Sequence, residues 1–151
     1  MRRVHLLLIF VGLLVFLAIS AVLARVLSID GAERSAITSL VQAEASGNTA
    51  AMTGRIEHCR QSPSCQARVA VDVAYLRRAG SVAILELNPS AGFSLGSTTG
   101  TARVAWRAGS ALPIVQCVRV RRAGNALSGL RVELLELSVR IKTDGDCPVR
   151  F

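Results

Sequence analysis

Residues 101–141 read TARVAWRAGSALPIVQCVRVRRAGNALSGLRVELLELSVRI, and their rhythm decides the fold. Over residues 101–107 apolar and polar side chains alternate: Ala102, Val104 and Trp106 share one face, Thr101, Arg103, Ala105 and Arg107 the other. A period of two is that of a half-buried β-strand. Ala108-Gly109-Ser110 supplies a turn, and residues 112–122 alternate again, with Ile114, Val118 and Val120 opposing Val115, Cys117, Arg119 and Arg121. Gly124-Asn125 marks a second turn. The last run, residues 127–141, keeps Val132 and Leu134 in phase and then moves Leu135, Leu137, Val139 and Ile141 to the other parity. Such a switch is what a β-bulge produces, so a bulge at Leu134-Leu135 in a curved antiparallel sheet is expected.

Moving upstream, residues 81–88 read as one more strand, stopped by Asn88-Pro89-Ser90. Residues 90–100, rich in Gly, Ser and Thr, read as a loop with room for a short strand at 92–95. Before Gly80 the period becomes helical. A helix over 63–78 has Pro63 at its tolerated first position, buries Val69, Val73 and Leu76, and closes at Gly80. A second, over 49–59, is capped by Asn48 and buries Met52 and Ile56. A third, over 32–45, carries a stripe of Ala36 or Ile37, Leu40, Val41 and Ala43 or Glu44, and ends at Ser46-Gly47-Asn48. Residues 28–31 read as a short link, with Asp30-x-x-Glu33 as a capping-box start. Helices followed by strands predict an α+β fold, with about three helices on a curved antiparallel sheet of four or so strands.

Residues 6–24 contain no charge. As a helix, those nineteen residues span about 28 Å, close to the hydrocarbon thickness of a bilayer. Residues 1–27 therefore read as a signal anchor or a cleavable signal peptide, and 28–151 as an extracytoplasmic domain. Val22-Leu23-Ala24 permits cleavage before Arg25, whereas the apolar run is longer than an ordinary signal-peptide core. Arg2 and Arg3 favour a cytoplasmic N-terminus, giving a single-pass topology in which residues 4–27 meet the bilayer.

The chain has 151 residues and a net charge of +8. Arg2, Arg3 and Arg25 belong to the leader, which leaves fifteen bases against ten acids and a domain charge of +5. The aromatics outside the leader are Trp106, Tyr75, Phe93 and Phe151. Basic residues without interleaved stacking rings speak against a nucleic-acid partner. Four cysteines in a translocated domain point to two disulfides, with three possible connectivities. Cys59 and Cys65 bracket a loop short enough to close locally, which leaves Cys117 with Cys147 across about 30 residues. The cysteine spacings do not suit zinc, and no metal or cofactor is expected.

Residues 33–57, 63–78, 101–107, 112–122 and 127–141 together resemble the nuclear-transport-factor-2-like superfamily, also called cystatin-like or ketosteroid-isomerase-like: helices lining a curved sheet. The likeness is one of topology, and extends to bacterial members carried behind an N-terminal membrane helix. Enzymes of that superfamily use an acid or base inside the cone of the fold. The resemblance therefore singles out Asp72 and Tyr75, three apart on one helix face, as candidate catalytic residues, with Glu86 and His58 nearby in the chain. The plainer reading makes Asp72 a solvated residue beside Arg68 and Tyr75 a rim residue. With His5 and His58 the only histidines, no Ser/His/Asp set is available. Arg119 and Arg121 share parity and could bind an anion or a lipid headgroup; across the hairpin, Glu133 and Arg131 make an ion-pair ladder the default. Asp144-x-Asp146 has too few oxygens for calcium and reads as a turn. The sum is a membrane-anchored binding or assembly module, whose partner would be another envelope protein or an anionic ligand. The alternative is a small-molecule enzyme or carrier.

Overall fold

The computed structural model describes residues 2–90, 96–125, 129–142, 145–149 and 151. One helix, α1 (Arg2–Ala45), spans 44 residues without interruption, about 66 Å of rise. Its first half is apolar on every side and exposed: an 18-residue window reaches a mean hydropathy of 3.1 with nothing buried, long and apolar enough to cross a membrane. Its second half packs. Ile29, Glu33, Ile37, Leu40, Val41 and Glu44 are buried at helical spacing along one stripe.

The expected link at 28–31 is therefore corrected: those residues are helical. Ser28 turns its hydroxyl back onto the Arg25 carbonyl at 2.7 Å, three residues earlier, within the helix. Asp30 and Glu33 do not cap a helix start. Three apart, they lie on the same face of a continuous helix, and both accept from Arg122 on the sheet. The change from leader to domain is a change of exposure, not a break in the backbone.

At Gly47 (φ 79°) the helix ends, and Asn48 caps α2 (Thr49–Arg55) by accepting from the Ala51 amide at 2.9 Å. This helix is shorter than expected because Ile56 leaves it for the sheet: it bridges Leu134, and the Glu57 amide donates to the Leu134 carbonyl at 2.7 Å. A 3-10 turn (Cys59–Gln61) leads to α3 (Pro63–Leu76), capped by the Ser62 hydroxyl, with proline in its first turn.

The sheet is an antiparallel meander in the order β1 (Val82–Asn88), β2 (Thr98–Ala108), β3 (Ile114–Asn125), β4 (Gly129–Leu137). Val120 faces Leu134 and Arg119 faces Glu136, so Leu135 is an extra residue. That is the bulge its parity switch predicts. The bulge lets Leu134 and Leu137 both turn inward, 3% and 2% exposed. The strand then stops; Val139 is exposed and Ile141 returns only as a bridge to Val115. β1 carries a second bulge at Leu85.

The helices cover one face of the sheet. Ala102, Val104, Trp106, Ile114, Val118 and Val120 fill that inner face and meet Ile37, Leu40, Val41, Met52, Val69 and Val73 of the helices. Cys117 is fully buried and bonded to Cys147, which holds the C-terminal tail to the sheet; Cys59 is bonded to Cys65 across the start of α3. The short strand expected at 92–95, the start of β4 at Leu127 and Asp144 all lie outside the described residues.

Candidate functional site

Trp106 is wholly buried, and an indole N–H in a core needs an acceptor. Gln116, two residues into the alternation of β3, provides it at 2.8 Å. The Gln116 amide nitrogen then donates to Glu44 on α1 at 2.9 Å and to the Ser138 carbonyl at 3.2 Å. The Ser138 hydroxyl accepts from the Cys117 amide at 2.8 Å and donates to the Val139 carbonyl. This chain of polar groups links Trp106 and Gln116 on the inner face of the sheet to Glu44 on α1.

Its last member is unsatisfied. The Oε2 atom of Glu44 is buried with no hydrogen-bond partner. Burial pushes the Glu44 carboxyl up to about 8; the bond from Gln116 works the other way, and the charge of nearby Asp72 adds to the rise. At neutral pH Glu44 is mostly an uncharged acid.

Asp72 lies on the inner side of α3 and is 2% exposed, so it is not the solvated helix residue of the plainer reading. Burial pushes its carboxyl up to about 6 against the pull of Arg68, and Oδ2 is a second buried oxygen with no donor. The same carboxylate lines a cavity of about 270 Å³ between α3, the 3-10 turn and β4. Ile56, Val69, Leu135 and Leu137 give this cavity an apolar wall, the Cys59–Cys65 pair lies along it, and Glu57, His58, Arg68 and Glu136 supply its charge. The bulge at Leu135 and the departure of Ile56 from α2 bring those two residues to the cavity.

Tyr75 is not in that cavity. It is 74% exposed and shares with Asp72 a shallow groove that also includes Val139 and Arg140. The two candidates thus part, Tyr75 exposed and Asp72 buried, and the charge of Asp72 is felt by Glu44 in the core. Glu86 lies on β1 and makes an ion pair with Arg103 at 3.8 Å. His58 is exposed and adjoins Glu57 at 3.4 Å. Among the described residues no group of three or more His, Cys, Asp or Glu is placed to hold a metal ion.

The arginines of β3 are met by carboxylates. Arg119 pairs with Glu136 at 3.1 Å, donates to the Val149 carbonyl at 2.7 Å and lies 5.0 Å from the Phe151 ring centroid. Arg121 and Arg131 both hold Glu133, whose carboxyl is drawn below its ordinary value first by the bond from Arg131 and then by that from Arg121. Arg122 faces inward, 4% exposed in its side chain, bonded to Glu33 at 2.9 Å and to Asp30. Burial disfavours its charge, yet the two carboxylates outweigh that and raise its pKa above the ordinary value.

Gln116 and Ser138 are missing from a reading of the sequence alone, and Glu44 enters it only as an alternative member of a helix stripe. Glu44 carries the one signal that could have found it: an acid standing within an apolar stripe. Comparison with protein-family models, with curated proteins and with solved structures finds no match.

Proposed function

We propose that this protein is a membrane-anchored extracytoplasmic domain acting as a binding or assembly module. Its apolar segment is retained in the bilayer and its N-terminus is cytoplasmic. The observation that carries this reading is the unbroken α1, in which a lipid-length apolar half continues directly into the stripe that packs the core. Removing the first half after Ala24 would cut a helix in the middle, five positions before Ile29, whose side chain is buried in the domain. Two disulfides fit a domain that matures outside the reducing cytoplasm. The resemblance to the nuclear-transport-factor-2-like superfamily is kept within this proposal and rests on the order of elements alone.

Membrane fractionation of the full-length chain, combined with protease protection in sealed vesicles, tests the reading. Full-length protein is expected in the membrane fraction, with the domain digested only from the extracytoplasmic side. A soluble species with four free thiols would overturn it. A second reading, a small-molecule enzyme or carrier, is favoured by one observation: Asp72 is a buried carboxylate at the wall of a cavity.

A further inference from the structure

We propose that the cavity between α3, the 3-10 turn and β4 is a binding site for a small organic cation, an amine or a guanidinium, seated against Asp72. The inference rests on the reading of the chain as a binding module and names the chemistry of its ligand.

Three observations converge on it. Asp72 is 2% exposed, and its Oδ2 has no donor. A buried acceptor without a donor is unfavourable, and a ligand N–H would supply one. The cavity holds about 270 Å³, at the lower end of ligand pockets and suited to a molecule of a few carbons. Its wall pairs apolar Ile56, Val69 and Leu135 with the carboxylates of Glu57, Asp72 and Glu136 against Arg68; Glu136 is already paired with Arg119 and Glu57 adjoins His58, so Asp72 is the carboxylate that carries the charge. An anion would meet that excess of negative charge, whereas an alkylammonium would place its chain on the apolar side and its charge on Asp72. The N-terminus of α3 does not reverse the balance, because the Cys65 amide is already held by the Ser62 hydroxyl at 3.3 Å.

The charge of Asp72 is sensitive to pH. Burial lifts its carboxyl to about 6. Arg68 on its own helix pulls the other way, Glu57, His58 and Glu136 line the same cavity, and the charge of Asp72 in turn raises the carboxyl of Glu44 on α1. A cation that needs ionised Asp72 binds less well as this group protonates, so affinity falls about tenfold from pH 7 to pH 5.

The test uses full-length protein in detergent micelles, with n-butylamine as the probe and n-butanol and butyrate as controls, followed by amide chemical shifts. Saturable n-butylamine binding in the millimolar range or tighter is expected, with shifts at Ile56, Val69 and Leu135. It should weaken about tenfold at pH 5 and at least tenfold in Asp72→Asn. If Asp72→Asn does not fold, the wild-type pH series and the two controls decide alone. Equal binding of n-butanol, preferential binding of butyrate at Arg68, or no saturation with millimolar amine would each overturn the site. Those results leave the anchored-module reading intact, since that one falls only by fractionation and protease protection.

Discussion

Glu44 shows what a single buried acid does to a small domain. Its carboxyl sits in the core with a proton retained up to about pH 8. Below about pH 4.5 the acid is protonated in the folded and unfolded chain alike. Between about 4.5 and 8 only the unfolded chain releases the proton, so stability falls as pH rises through that window. Glu44→Gln keeps the shape of the neutral acid and can still accept from Gln116. Its melting temperature should therefore be nearly flat between about pH 6 and 8, above the range in which Asp72 titrates and where the wild type still declines, with an advantage at pH 9 on the order of a few kcal/mol, read by thermal denaturation at a series of pH values. Arg122 obeys the opposite logic, a buried charge that must stay paired. Arg122→Met strands Glu33, which is fully buried, and should cost about 3–5 kcal/mol in urea unfolding. Arg122→Met combined with Glu33→Leu should recover much of that loss, although the Ser90 amide, which donates to Glu33 at 2.7 Å, then loses its acceptor.

At the scale of elements, α1 carries an exposed glycine at Gly31, where an added Cβ would meet nothing within 4 Å. Gly31→Ala should therefore stabilise the helix by roughly 0.5–1 kcal/mol, and Gly31→Pro should cost about 3 kcal/mol or more, both measured by thermal unfolding of the full chain. The strands were readable from sequence because alternation is a local signal: Ala102, Val104 and Trp106 share the inner face, and Leu134-Leu135 marks the bulge. Asn48 is equally plain as a cap. What escaped was non-local. Asp30-x-x-Glu33 has the spacing of a helix start and of a helix face, and only Arg122, 89 residues beyond Glu33, decides between them. Ile56 fits the apolar period of α2 and leaves it for a strand that is not yet in view at that point of the chain. Asp72 is legible by its residue type, while Glu44, whose carboxyl its charge helps to raise, stands inside an apolar stripe.

For the molecule as a whole, the Cys117–Cys147 bond spans 30 residues and ties the tail to the sheet beside Arg119. Replacing both cysteines by alanine should lower stability by about 3–4 kcal/mol in urea unfolding, and should free Arg119 from the Val149 carbonyl. The continuity of α1 has a different kind of consequence. Each residue turns a helix by about 100° and advances it about 1.5 Å. In a bilayer-held protein, one alanine inserted after Ser28 would swing the whole domain through about a quarter turn while barely lifting it, and seven would restore nearly the original heading. Nitroxide labels on the sheet, measured against labels in the anchor, should follow that rotation. A domain held in this way would have a compass bearing as well as an altitude: a neighbour in the same membrane would meet one fixed side of it, chosen by the rotational setting of the helix.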